Sequence, residues 1–317
     1  KNEKLIVKDF LINSNFQMRQ HFKIMLDDLT KMIENFKFKK ILWGLSPNYF
    51  KRNLIISLKK KIKIFGFQHG GSYFITQKDE LHRNSEYILC DEYISYGSSK
   101  FFNKKKYLKK TKLINNGCFK ENFISKKIIN VDCENKKILY VPISLNNFWK
   151  PNIQSSQTER FENQKKICKF LNNLKEYKTY LKFIPNTLKN NIILNYYNLE
   201  TNPIYLYSKN YKNLNVNSNS IIKAFTLVKP KIIIFDSFST PIYELLNSNS
   251  ELIVFIDKLN PLKRDALESL KERCFLVSSI KDLNKAINLI DEKRSNKIMN
   301  RSFFDKFYKN KNNFKYK

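Results

Sequence analysis

Hydrophobic and polar positions follow helical and strand-like spacing in alternation along most of the chain. In the first half, periods near 3.6 predict helices over 16–37 and 48–60, and short apolar runs predict strands at 41–44, 62–67, 92–96 and 112–118. The polar, lysine-rich segment 120–136 has weak periodicity and is typical of a linker. The strand pattern resumes directly after it, at 137–142.

The second half continues the alternation up to residue 291. Predicted helices at 156–176, 219–228, 241–247, 262–272 and 280–291 alternate with predicted strands at 180–184, 204–207, 232–235, 252–256 and 274–277. This order is typical of a parallel sheet with helices on both faces. We therefore expect an α/β fold with two Rossmann-like domains, at 1–128 and 129–295.

The tail at 296–317 is basic and aromatic. It could be a helix that packs back across the two domains or an arm that binds a surface. We favour the packed helix, because large aromatic side chains are costly to leave in water.

Composition narrows the class of protein. A length of 317 residues suits two domains, and 42% hydrophobic residues exclude global disorder. No uninterrupted apolar run reaches the length of a transmembrane helix. The net charge of +31 favours anionic partners such as nucleic acid, acidic lipid or phosphorylated substrates. An AT-rich genome produces the same excess of lysine, asparagine, isoleucine and phenylalanine, so charge alone does not identify the partner.

Cysteine and histidine usage gives little support to a metal enzyme or a disulfide framework. The five cysteines form no C-x-x-C pair, and the three histidines form no H-E-x-x-H motif. Reduced thiols of a cytoplasmic protein are expected. We expect neither a bound metal nor a cofactor.

The turn Gln68-His69-Gly70-Gly71 is the first candidate site. It follows a predicted buried strand, and all six glycines of the chain lie between positions 44 and 117. Glycine allows a backbone to approach a ligand closely, and ligands of open parallel sheets bind at the carboxyl ends of strands. The alternative is a tight turn in which His69 bonds to a backbone carbonyl.

Two further titratable residues, Glu80 and His82, follow this turn closely. Clustered carboxylate and imidazole groups can tune a general base, so His69, Glu80 and His82 are the candidate catalytic residues. The alternative is a solvated charged turn.

The strongest pattern in the second half is the segment 236–244, which follows the predicted strand Lys231–Phe235. Ser239 or Thr240 is predicted to cap the next helix, with Pro241 at its first position. Open backbone N–H groups and the hydroxyls of Ser237, Ser239 and Thr240 would suit a phosphate, and Glu244 could reach a ribose one turn later. The alternative is an ordinary capping box.

Two other strand ends are expected to face the same pocket. Ser144 follows the predicted strand at 137–142, and Lys182 lies in the predicted strand at 180–184. Each signal is weak alone, and their shared position at strand ends is the stronger argument.

Together these motifs resemble those of GT-B glycosyltransferases. Phe65–Gly71, Glu80, His82, Tyr96–Gly97, Ile138–Ser144, Asp236–Glu244 and Arg301–Phe304 resemble segments of transferases from bacterial surface-carbohydrate clusters. The second half is also similar to capsule Kdo and sialyl transferases and to CDP-glycerol glycerophosphotransferases. In those families a Ser/Thr-rich helix start holds the phosphate of a CMP or CDP donor.

The resemblance implies two Rossmann-like domains facing a cleft. About 120 residues are few for the first, which we expect to be incomplete. It also implies a metal-independent glycosyltransferase, or polyol-phosphate transferase, with a CMP- or CDP-linked donor and no cofactor. The expected acceptor is a lipid-linked or oligosaccharide surface glycan such as capsule or lipopolysaccharide. His69 would be the acceptor-side base, and Ser144, Lys182, Ser237, Ser239, Thr240 and Glu244 would bind the donor.

A cytoplasmic location with peripheral contact to an anionic membrane is expected, without specific nucleic-acid binding. Two rival hypotheses stay open at this point. The short first domain suggests a non-catalytic or truncated transferase-like domain. The charge suggests a protein that binds polyanions or nucleic acid, although no recognised binding motif occurs.

Overall fold

The computed structural model describes residues 20–35, 37, 39–43, 62–68, 70–71, 73–77, 86–97, 111–118, 120–143, 145, 156–183, 202–259, 261–294, 297–298 and 300–309. The chain divides into two compact units. Unit 1 comprises Lys1–His69, Glu80–Ser95 and Asn103–Ile114. Unit 2 comprises Gly70–Asp79, Tyr96–Phe102 and Asn115–Lys317.

The sheet of unit 1 has four described strands in the order β1-β2-β3-β4. Its elements are helix α1 (20–35) and strands β1 (Lys40–Trp43), β2 (Lys63–Phe67), β3 (Glu92–Ser95) and β4 (Lys112–Asn115). The β1–β2 and β2–β3 pairs are parallel. The apolar face of α1 packs against the sheet end at Ile62, as its helical spacing predicts.

Close packing in unit 1 depends on Gly66 in the middle of β2. A Cβ atom there would lie 2.4 Å from Cys90 Sγ and 2.5 Å from Tyr93 Cδ2. The Asp91 side chain accepts a hydrogen bond from the Ile64 backbone N–H at 2.8 Å and fixes the approach to β3. The parallel strands predicted here are therefore held together by side-chain packing as well as by the backbone hydrogen bonds between strands.

The sheet of unit 2 has six described strands in the order β10-β9-β8-β5-β6-β7, and the described strand pairs are parallel. Its strands are β5 (Glu134–Val141), β6 (Lys178–Lys182), β7 (Leu214–Asn217), β8 (Pro230–Phe235), β9 (Glu251–Phe255) and β10 (Cys274–Val277). Its helices are α2 (Glu121–Ile128), α3 (Gln157–Asn173), α4 (Pro203–Ser208), α5 (Ile221–Val228), α6 (Thr240–Leu245), α7 (Arg264–Arg273), α8 (Ile280–Asp291) and α9 (Ser302–Phe307).

The core of unit 2 lies on both faces of this sheet. Alternate residues of β5 and β8 point to opposite faces, as strand geometry requires. Leu139 and Ile233 pack with α2, α5, α6, α7 and α9, whereas Ile138 and Ile232 pack with α3, α4 and α8. Helices on both faces of a parallel sheet are the predicted arrangement.

Two expectations from the sequence were wrong. Residues 204–207 belong to helix α4, because Asn202 accepts hydrogen bonds from the N–H groups of Ile204 and Tyr205 and Pro203 begins the helix. The strand expected there is β7, further along the chain. The expected linker contains α2, whose Ile124 and Ile128 are buried in the core of unit 2.

Part of the basic aromatic tail is a packed helix. Phe303, Phe304 and Phe307 of α9 are buried in the core of unit 2, which favours the packed alternative over a surface arm for this segment. Gly97 has a φ of +133°, and a Cβ there would lie 2.7 Å from the Lys306 carbonyl oxygen. Among the described helices, none is both long and apolar enough to cross a bilayer.

Four lysines among the described residues take the left-handed backbone conformation that usually favours glycine. They are Lys37 (φ 50°), Lys136 (φ 61°), Lys229 (φ 54°) and Lys293 (φ 56°). Lys229 ends α5, and its N–H bonds to the Phe225 carbonyl oxygen at 2.8 Å. Lys136 lies in β5 where the register with β8 shifts. Lysine therefore occupies helix-end, turn and strand-irregularity positions that glycine commonly fills.

Candidate functional site

The carboxyl edge of the unit 2 sheet is where a ligand is expected. Strand β5 lies between β6 and β8, so the chain leaves the sheet in opposite directions after β5 and β8. In open α/β sheets such a switch point forms a crevice that binds ligands. The residues that follow Val141 and Phe235 therefore form the natural site in this unit.

Asp236 organises this edge directly after β8. Its carboxylate accepts hydrogen bonds from the Ile143 N–H at 2.7 Å, Gln164 Nε2 at 2.6 Å and the Tyr140 hydroxyl at 3.2 Å. Burial raises the pKa of Asp236 to about 6, although these hydrogen bonds and the charge of Arg160 act in the opposite direction. One carboxylate thus joins β8, the segment after β5 and helix α3.

A cavity of about 780 Å³ lies beside Asp236. The ends of β5, β8, β9 and β10 and the first half of α3 line it, mostly with polar side chains that include Asn163, Lys166, Ser237, Ser278 and Ser279. Arg160 and Asp257 form a largely buried ion pair in its wall, with 3.5 Å between Nη2 and Oδ2. The volume suits a small ligand, with apolar surface to bury it and polar side chains to orient it.

The start of α6 carries the hydroxyls predicted from the sequence. Ser239 occupies the cap position in an extended conformation, but its side chain makes no capping hydrogen bond. Thr240 is the first helical residue and Pro241 the second, one position later than predicted. The ordinary capping box is therefore wrong here, and the Ser239 hydroxyl has no hydrogen-bond partner in the described part of the chain.

Gly71 lies against this helix start. Its N–H donates to Thr240 Oγ1 at 3.1 Å, and the Tyr243 hydroxyl donates to its carbonyl oxygen at 2.7 Å. A Cβ at Gly71 would lie 2.5 Å from Tyr243 Cε2, so the position requires glycine for packing. At Gly70 a Cβ would lie 2.9 Å from Tyr73 Cε1. Close approach of either glycine to a ligand stays a prediction.

Lys182 and Glu244 bring opposite charges to the same region. Lys182 ends β6 with 6% of its surface exposed, and burial lowers its pKa to about 8. Burial raises the pKa of Glu244, and the charges of Lys182 and Lys120 oppose that shift. Within the described residues no hydrogen bond satisfies the Lys182 ammonium. Two predicted donor-binding residues are thus close enough to interact electrostatically.

Four of the predicted site residues lie outside the described residues: His69, Glu80, His82 and Ser144. Of the others, Ser237 lines the cavity, Ser239 and Thr240 begin α6, and Glu244 lies further along α6. Sequence reasoning assigned no role to Asp236 or Tyr243. An aspartate directly after the apolar run Ile232–Phe235 was the available signal for Asp236.

Comparison with solved structures shows the fold. Staphylococcus aureus MnaA in its UDP co-structure has 14% identity and a TM-score of 0.56, over 90% of this chain and 75% of that chain. A structure described as a putative UDP-N-acetylglucosamine 2-epimerase from Listeria monocytogenes has 10% identity and a TM-score of 0.54, over 92% of this chain and 76% of that chain. Sucrose-phosphate synthase from Thermosynechococcus elongatus has 8% identity and a TM-score of 0.53, over 89% of this chain and 72% of that chain.

These likenesses and the two sheets confirm the predicted α/β fold of the GT-B type. No match was found among curated protein sequences. The narrower relation to capsule Kdo or CDP-glycerol enzymes stays a prediction. The profile of the LIC12162 family transferase matches residues 16–290, most of the chain. The chain therefore belongs to the LIC12162 transferase family.

Proposed function

We propose that the chain is a glycosyltransferase, or polyol-phosphate transferase, that uses a nucleotide-activated donor and needs no metal. The observation that carries this is the grouping of side-chain hydroxyls and a buried ammonium near the carboxyl edge of a parallel sheet. Ser237, Ser239 and Thr240 supply the hydroxyls, and Lys182 supplies the charge. Membership of a transferase family supports the reaction class.

The chemistry requires stabilisation of a leaving nucleotide phosphate, which gains negative charge in the transition state. Fixed hydroxyl donors and an ammonium shielded from water can supply this stabilisation. Glu244, which has the carboxylate oxygens to accept hydrogen bonds, would bind the ribose hydroxyls. The resemblance favours a cytidine nucleotide, and the MnaA structure that shares the fold contains UDP.

On the acceptor side, His69 is the proposed general base, with Glu80 and His82 as alternatives. The proposed acceptor is a lipid-linked or oligosaccharide surface glycan. These assignments rest on the sequence, as does the assignment of Ser144 to the donor pocket.

Removing the hydroxyls of Ser239 and Thr240 together is expected to weaken nucleotide binding roughly 10- to 100-fold, because hydrogen bonds to charged groups are stronger than neutral ones. The melting temperature should fall by only a few degrees, since Thr240 loses one bond from Gly71. Calorimetric titration with CMP, CDP, UDP and GDP measures the affinities.

Thr226→Ala is the matched control, because its hydroxyl bonds to the Lys223 carbonyl on another helix of the same unit. Ser239→Ala alone isolates the hydroxyl that makes no structural bond. Unchanged nucleotide affinity in the folded double variant would place the donor elsewhere. Failure of all four nucleotides to bind would instead favour a non-catalytic member of the family.

Lys182 predicts a distinctive pH dependence of donor binding. A pKa of about 8 means that the ammonium loses its charge as the pH rises through 8, well below the ordinary range for lysine. Affinity for the best-binding nucleotide should therefore fall between pH 7 and pH 9.5. Arginine stays charged throughout, so Lys182→Arg should abolish the fall, whereas Lys182→Met should bind weakly at every pH. If nucleotide affinity varied with pH in the same way for the wild type, Lys182→Arg and Lys182→Met, the Lys182 ammonium would have no role in donor binding.

A further inference from the structure

Helices α2 and α5 pack against each other on one face of unit 2 and expose apolar side chains. Phe123 is 63% exposed, Leu227 60% and Ile129 41%. Each helix also buries an apolar face, so these residues are additional to those that hold the fold. We refer to Phe123, Lys126, Lys127, Ile129, Lys223 and Leu227 as the α2–α5 surface.

The charged residues of this surface are all basic. Lys126, Lys127 and Lys223 are exposed, and the exposed Lys120 and Lys229 extend the charge at the helix ends. The acidic residue within these two helices is Glu121, which is 5% exposed and accepts a hydrogen bond from Ser125 Oγ at 2.7 Å. The Lys127 ammonium lies 4.1 Å from the centroid of the Phe123 ring. Apolar and cationic groups therefore alternate on one surface.

We infer that the α2–α5 surface binds the anionic face of a lipid bilayer. Lysines gain energy near acidic headgroups, and apolar side chains between them can enter the boundary between headgroups and acyl chains. A nucleic acid would satisfy the lysines but would leave the aliphatic groups of Ile129 and Leu227 in water. This surface consists of side chains assigned to no step of the proposed reaction.

Helix α8 offers a matched control on the opposite face of the sheet. It exposes Lys281, Lys285 and Leu289, but it also carries Asp282 and ends at Asp291. The variant K127Q/K223Q/L227S and the control K281Q/K285Q/L289S each remove two lysines and one leucine. The two variants have equal net charge, so any difference in their vesicle binding shows that the position of the substituted residues matters.

The experiment measures co-sedimentation of the full chain with vesicles of phosphatidylcholine alone or with 30% phosphatidylglycerol. The wild type should pellet with the anionic vesicles and should be released at high salt. K127Q/K223Q/L227S should bind roughly 30-fold more weakly, whereas the α8 control should stay within about twofold of wild type. F123S should bind more weakly while keeping the salt dependence.

Equal losses for the two triple variants would overturn the inference and indicate diffuse charge attraction. If the wild type pelleted equally with neutral and anionic vesicles, its binding would not depend on acidic headgroups, and the inference of an anionic bilayer would be wrong. If the wild type bound a short nucleic-acid duplex more tightly than the anionic vesicles, and K127Q/K223Q/L227S lost that binding, the partner of this surface would be a nucleic acid and the inference would be wrong. All substituted residues are exposed, and a thermal melt verifies that each variant folds.

Discussion

Replacing His69 by alanine is expected to lower turnover about 10²–10⁴-fold while changing donor affinity less than twofold. The residue follows the buried strand β2 and precedes Gly70 and Gly71 in the chain. Histidine side chains can accept a proton near neutral pH, as deprotonation of an acceptor hydroxyl requires. Single-turnover assays with a radiolabelled donor, together with nucleotide titration, separate the two quantities.

The alternative for His69 is a hydrogen bond that fixes the turn. That alternative predicts a lower melting temperature and normal turnover per folded molecule. His69→Gln distinguishes the two, because glutamine can replace a hydrogen bond but cannot act as a base. Normal turnover in folded His69→Gln would exclude the catalytic role and transfer it to Glu80 or His82.

Replacing Arg273 by methionine is expected to destabilise unit 2 by about 3–5 kcal/mol, because three buried carbonyl groups lose their donor. Arg273 is 1% exposed, and its guanidinium donates to the carbonyl oxygens of Leu246 at 2.8 Å and of Ser248 and Ser250 at 3.0 Å. These carbonyls belong to the turn between α6 and β9. Methionine would leave them buried without donors, and each unsatisfied group is costly.

Urea unfolding measures this loss as a lower midpoint of the transition. Lys271→Met is the matched control, because it removes a cation from the exposed side of the same helix. It should shift the free energy of unfolding by less than about 0.5 kcal/mol. Equal shifts for the two variants would show that the buried hydrogen bonds of Arg273 contribute little.

The sequence predicts helices and strands well where either the helical or the strand spacing of hydrophobic residues dominates. The strand at 274–277 and the helix at 280–291 agree with β10 and α8 at both ends. Prediction failed at 204–207, because aromatic and β-branched residues favour a strand while the preceding Asn202 and Pro203 form a helix start. The weak periodicity of the lysine-rich α2 concealed a helix whose packing partners lie far along the chain.

The candidate site was predictable in position but not in its contacts. Residues that follow apolar strands meet at one sheet edge, which places Lys182 and the segment after Asp236 correctly relative to the sheet. The contact between Tyr243 and Gly71 joins residues 172 positions apart, and that between Gln164 and Asp236 spans 72. Local patterns contain no signal for such pairs. The missing capping bond of Ser239 is equally invisible in the sequence, which favours a capped helix.

The left-handed lysines carry a cost in folding free energy that glycine at the same positions would avoid. A left-handed conformation costs a residue with a side chain about 1–2 kcal/mol. Lys37, Lys136, Lys229 and Lys293 therefore together withhold several kcal/mol from a fold whose net stability is of the order of 5–15 kcal/mol. Lysine codons are rich in adenine and glycine codons in guanine, so mutation toward A and T would favour lysine over glycine at such positions. A lower net stability raises the fraction of unfolded molecules that a cell must refold or degrade.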